Sequence, residues 1–194
     1  MRTIEEGRER FAGEAGFTLT ELMVFMGIMI VFLIGIGGMI QSGVNSSTAS
    51  YNTVKLSEGA SEAQSTIVRQ IRVATQLDPG CTASVITFTG DINGDGSDTV
   101  MRFDVANGYL RSGSAAGDMN DWIPNVDTVI FTYYWFDIDT KQLTELTPGT
   151  AEWSDHYSDI RRIDIGLQLS KTAPGSSISR EYSSSVTLRN KLNP

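Results

Sequence analysis

Between Leu22 and Ile40 the chain runs for 19 residues, L-M-V-F-M-G-I-M-I-V-F-L-I-G-I-G-G-M-I, without one ionisable or strongly polar side chain. A run of this length is enough to cross a bilayer as a helix. Counted from Phe17 the stretch is 24 residues, with Glu21 as its only charge. That is about 36 Å of helix against a hydrocarbon core of about 30 Å, so one tilted crossing is expected. Downstream the pattern becomes amphipathic: Leu56, Ala60, Ala63, Ile67, Ile71 and Ala74 recur at spacings of 4, 3, 4, 4 and 3, the stripe of a helix with one buried face. Lys55, Glu58, Glu62, Gln64, Arg69 and Arg72 fall on the other faces, and Asp78-Pro79-Gly80 predicts a stop near Leu77.

After Pro79 the period changes to two. Ser84 to Thr89, Thr99 to Val105, Val126 to Phe136, Arg161 to Ser170 and Glu181 to Asn190 read as strands, most clearly at Val129, Phe131, Tyr133, Trp135 and at Ile163, Ile165, Leu167, Leu169. The connections are short and rich in Gly, Asn, Asp and Pro, as in antiparallel hairpins. The expected class is α+β, a long N-terminal helix with a membrane-spanning first half, packed on an antiparallel β-sheet. The divisions are residues 17–40 for the apolar segment, 41–78 for its amphipathic continuation and 79–194 for the β domain.

Composition narrows the chemistry. A formal charge of −8 and a pI near 4.6, with no basic cluster, argue against direct nucleic-acid binding through phosphate neutralisation. Cys81 is the only cysteine, so no internal disulfide forms and the thiol is expected to be buried. His156 is the only histidine, which excludes a multi-histidine zinc site. Asp155-His156 stands among many serines, yet no G-x-S-x-G elbow accompanies it, and catalysis is not expected.

An ionised carboxylate at the edge of an apolar run is costly, and such residues usually have a partner. The residues G-F-T-L-T-E-L at Gly16 to Leu22 resemble the processing site of type IV prepilins and type II secretion pseudopilins. The resemblance implies a leader at residues 1–16, cut between Gly16 and Phe17 by a membrane-embedded prepilin peptidase that then methylates the new amino terminus. It further implies that Glu21 accepts the ammonium of Phe17 from a neighbouring subunit during assembly. A buried ammonium and a buried carboxylate each lack a partner alone and supply one to each other.

The leader carries Arg2, Arg8 and Arg10 against Glu5, Glu6, Glu9 and Glu14, net 3 − 4 = −1, whereas leaders of that family are usually basic. Orientation follows Lys and Arg rather than net charge. Gln41 to Thr53 contains neither, so the amino terminus is expected to stay cytoplasmic and the C-terminal domain to lie outside. Gly35, Gly37 and Gly38 occupy the region where many major pilins carry a proline.

The stretches I-T-F-T-G-D-I-N-G-D-G from Ile86, V-I-F-T-Y-Y from Val129, I-R-R-I-D-I-G-L-Q-L from Ile160 and V-T-L-R-N near the carboxyl end are similar to W-type minor pilins and J-type pseudopilins. That likeness implies a scarce subunit that forms or primes a filament tip. Its partners would be other pilin or pseudopilin subunits and the inner-membrane assembly platform. Two other readings stay open: a single-pass membrane protein displaying a β-domain adhesin or sensor, and a secreted protein cut after Ala49, where Ser47, Thr48 and Ala49 offer small residues.

One loop carries candidate chemistry. Asp91, Asn93 and Asp95 place side-chain oxygens at alternate positions with Gly96 following, like the start of a calcium loop, and Asp98 could add to the shell. The bidentate glutamate of an EF-hand falls at Arg102, so that loop is incomplete. The same residues also suit a hairpin tip, where Asn93-Gly94 and Asp95-Gly96 tolerate positive φ. In Tyr133-Tyr134-Trp135-Phe136, alternation puts two rings in the core and two outside, where exposed rings would suit a partner.

Overall fold

The structure, a computed structural model, describes residues 17–114, 118–173 and 176–188. A first helix, α1, spans Leu19–Arg72 without a break. By internal contacts the chain divides into two compact units, Met1–Val44 and Asn45–Pro194, and α1 contributes to both.

In the second unit the apolar stripe behaves as its spacing requires. Leu56, Ala60, Ala63, Ile67 and Ile71 are buried and join one continuous hydrophobic core with the strands. Gly59 lies beside Ile123, where an added Cβ would make an ordinary van der Waals contact with Ile123 Cγ2 at 3.4 Å. The helix ends at Arg72, five residues before the expected stop, and Ala74–Leu77 forms strand β1 instead. Ala74 is buried, but as the strand partner of Gly90 rather than as a last helical position. Pairing with a neighbouring strand outweighs local helix preference here, and Gly90 permits it, since a Cβ there would stand 2.6 Å from the Val73 carbonyl oxygen.

The strands form two antiparallel sheets. The first is a meander, β1-β2-β3-β4-β5, with β2 at Ile86–Gly90, β3 at Thr99–Ala106, β4 at Tyr109–Gly113 and β5 at Met119–Pro124. The second has the order β7-β6-β8-β9, with β6 at Val126–Asp137, β7 at Gln142–Leu146, β8 at Ile160–Ala173 and β9 at Ser176–Thr187. The chain leaves the first sheet at Pro124, which lacks an amide donor, and turns at Asn125, held at φ 65°. Asparagine tolerates this left-handed conformation better than most residues. A short helix α2, Ala151–His156, and a turn of 3-10 helix at Tyr157–Asp159 lead into β8. The expected last strand extended to Asn190; β9 ends at Thr187, and Arg189 and Asn190 lie outside the described residues.

The segment between β1 and β2 ties the two sheets together. Thr82 O accepts the Tyr133 hydroxyl at 3.0 Å, and Ala83 O accepts the Phe131 amide at 2.7 Å. Pro79 O accepts the Trp153 indole Nε1–H at 2.8 Å, which fixes α2 against the same segment. Cys81 is buried there as expected, its Sγ donating to Thr87 O at 3.2 Å and accepting from the Thr87 amide at 3.4 Å. Burial pushes the Cys81 thiol and the Tyr133 hydroxyl above their usual pKa ranges.

Candidate functional site

The candidate site is the start of α1. Phe17 and Thr18 precede the helix and Leu19 is its first residue, so Thr18 holds the N-cap position. The amide and hydroxyl of Thr18 both donate to Glu21 Oε2, each at 3.1 Å, and the Glu21 amide donates to Thr18 Oγ1 at 3.3 Å. This is a reciprocal capping box, in which residues three apart satisfy each other's amides at the helix start. A carboxylate in the first turn also complements the positive end of the helix dipole. The motif T-L-T-E therefore has a local structural reason that the sequence reading did not identify, although the [ST]-x-x-E spacing signals it.

These bonds fall on Oε2, and among the described residues no cation forms an ion pair with Glu21. Oε1 takes no part in them, and Glu21 is exposed. Phe17 is 87% exposed, and with Thr20, Glu21, Val24, Phe25 and Ile28 it borders a shallow apolar groove. Gly16, the other residue of the expected cleavage site, lies outside the described residues, as do all of residues 1–16, the expected leader.

The helix beyond the cap carries its apolar side chains uncovered. The most apolar 18-residue window of α1 has a mean hydropathy of 2.6, and none of that window is buried. Gly27, Gly35, Gly37 and Gly38 lie inside the helix with no heavy atom near their missing Cβ positions. One helix long and apolar enough to cross a membrane is thus present near the N-terminus.

The acidic loop after β2 is organised by its first residue. Asp91 Oδ1 accepts the amides of Gly94 at 2.7 Å and Asp95 at 3.1 Å, and Oδ2 accepts that of Gly96 at 3.1 Å. Asp95 Oδ1 accepts the Ser97 amide at 2.8 Å, while Asp98 Oδ2 turns to the Thr75 hydroxyl at 3.3 Å. Gly94 and Gly96 have φ of 72° and 81°, which matches the hairpin-tip reading. Asn93 is exposed. Among the described residues no three His, Cys, Asp or Glu side chains gather where they could hold a metal ion. Asp91 and Asp95 thus accept amides of the loop backbone, and Asp98 accepts a hydroxyl of β1.

His156 lies against Trp135, the rings stacked with centroids 3.8 Å apart and planes inclined by 12°. Of the aromatic run, Tyr133 is fully buried and Trp135 packs against the core, while Tyr134 and Phe136 take the outer face. A polar cluster escaped the sequence reading. Asp104 is buried and receives Arg111 Nε at 2.8 Å, Arg111 Nη2 at 2.9 Å and Arg102 Nε at 3.3 Å. Asp104 and Arg111 are direct partners across β3 and β4, so only the strand pairing reveals them. No protein-family model matches the chain, and no curated protein matches it.

Proposed function

We propose that this chain is a minor pilin or pseudopilin, a subunit of a type IV pilus or type II secretion-like filament, acting as a tip or initiation component. In this reading the chain is inserted with a cytoplasmic amino terminus and an extracytoplasmic β domain. Prepilin peptidase cuts between Gly16 and Phe17 and methylates Phe17. The subunit then passes from the bilayer into the filament with the help of the inner-membrane assembly platform, packing its apolar helix among those of other subunits.

The observation that carries the reading is the placement of Glu21. It stands at the head of a helix whose apolar window is wholly uncovered, three residues after Thr18, which engages Oε2 and leaves Oε1 out of the cap. Cutting after Gly16 would create an ammonium one residue before that cap. An ammonium and a carboxylate brought together out of water neutralise each other's desolvation cost. The capping box supports a carboxylate already oriented before its partner arrives. The continuity of α1 through Ala49, whose carbonyl accepts the Thr53 hydroxyl at 2.9 Å, weighs against secretion by cleavage after that residue.

Amino-terminal sequencing of the chain recovered from its native membrane or filament tests the proposal. Phe17, methylated, is expected as the first residue. A chain beginning at Ser50, or one retaining residues 1–16 while its apparatus works, would overturn it.

A further inference from the structure

The outer face of the sheet β7-β6-β8-β9 carries an apolar hollow unrelated to the membrane segment. Phe136 and Leu143 are directly opposed across β6 and β7. The other face of β6 supplies Val129, Phe131 and Tyr133 to the core, whereas Phe136 and Leu143 remain 42% and 45% exposed. With Arg161, Arg162 and Thr187 they line an open hollow of about 400 Å³.

The two arginines are not equivalent. Arg162 is committed: Nε and Nη2 each donate to the Asp164 carboxylate at 2.7 Å, and its guanidinium lies 5.1 Å from the centre of the Tyr134 ring. Arg161 has no such engagement, and among the described residues it forms no ion pair. Its position is set by a break in the ladder. Tyr134 pairs with Arg162 and Trp135 with Ile160, so Arg161 is an extra residue in β8. A bulge of this kind re-aims a side chain, and here both arginines line the same hollow.

An uncommitted guanidinium beside an exposed aromatic and an exposed leucine combines the residue types on which interface energy concentrates. A second copy is a poor occupant, because each copy carries a net charge of −8 and like charge opposes association. We propose that the hollow docks an extended segment of a different protein that presents one large apolar side chain beside a carboxylate. The apolar group enters between Phe136 and Leu143, and the carboxylate pairs with Arg161.

The test uses the full chain in detergent micelles and two fluorescent blocked peptides, identical except for a central Asp-Phe-Asp or Lys-Phe-Lys. Fluorescence anisotropy should show the wild type preferring the acidic peptide by about tenfold. Arg161→Glu should reverse the preference, Arg161→Gln should abolish it, and Leu143→Ser should weaken the acidic peptide, with circular dichroism unchanged in each. Equal binding of both peptides, or an Arg161→Gln chain that still prefers the acidic one, would refute the proposal. A wild-type dimer in sedimentation that Leu143→Ser disperses would assign the hollow to a second copy instead.

Discussion

One oxygen of Glu21 receives both polar hydrogens of Thr18, and the Glu21 amide returns to the Thr18 hydroxyl, closing a ring of contacts at the head of α1. Glutamine at this position keeps such a box while removing the charge. Glu21→Gln therefore separates helix capping from the ion pairing proposed for assembly. Insertion and cleavage should be unchanged, while incorporation into filaments should fall by about tenfold or more, because orphaning one member of a buried pair costs on the order of 3 kcal/mol. Immunoblotting of membrane and sheared-filament fractions measures this. Wild-type incorporation of Glu21→Gln would remove the charge from the account.

Asp104 is the acceptor of two arginines in a buried position. Asp104→Ala leaves Arg111, its cross-strand partner in β4, without its acceptor. The expected loss is about 2–3 kcal/mol, since hydrogen bonds to charged groups contribute at the upper end of the range. Thermal denaturation should show a midpoint lower by about 5–10 °C, and Asp104→Asn should lose less because it still accepts a bond.

Burial raises the pKa of the Cys81 thiol and of the Tyr133 hydroxyl. Groups of this kind favour the folded state fully while both states are protonated, below the unfolded values of about 8.5 for a thiol and about 10 for a phenol. Stability should hold to about pH 8 and decline as pH climbs toward the raised folded values. Denaturant midpoints between pH 7 and 10 check the slope. In the same chain Cys81 should react with iodoacetamide at a small fraction of the free-thiol rate until the protein unfolds.

Asp137 behaves with the opposite sign. The Thr140 hydroxyl donates to its Oδ2 at 2.8 Å and the Asp139 amide to its Oδ1 at 2.9 Å, which lowers its pKa. The contribution is present above the unfolded carboxylate value, about 3.9, and is lost as pH falls through the depressed folded value. The protection factor of the Asp139 amide, its exchange rate referred to the intrinsic rate at the same pH, should fall below about pH 4 while the core strands stay protected. Asp137→Asn should remove most of that pH dependence.

The helix was legible because its signals are long: an apolar run, then a stripe at period 3.6 whose Leu56, Ala60, Ala63, Ile67 and Ile71 are all buried. The long strands β6 and β8 were legible for the same reason, each with four inward residues at period two. β4 and β5 were missed because each sends so little inward, Leu110 in one and Ile123 in the other, too few positions to establish a period. β7 was missed because four of its five residues are exposed. β1 was read as helix because Ala74 continues the stripe, and only Gly90, distant in sequence, claims it for a sheet. At the candidate site the residues were found, but their mutual geometry was not: T-L-T-E was read as a peptidase and assembly motif, and the hydrogen-bonded cap that orients Glu21 appeared only in the structure.

The bond from the Tyr133 hydroxyl to Thr82 O spans 51 positions of chain. Closing so long a loop costs conformational entropy before any sheet contact repays it. The junction between the two sheets should therefore set in late as the domain folds. Until it does, Val129, Phe131 and Tyr133 on the inner face of β6 stay open to solvent, so the exposure of this strand is governed by when residues 79–85 dock.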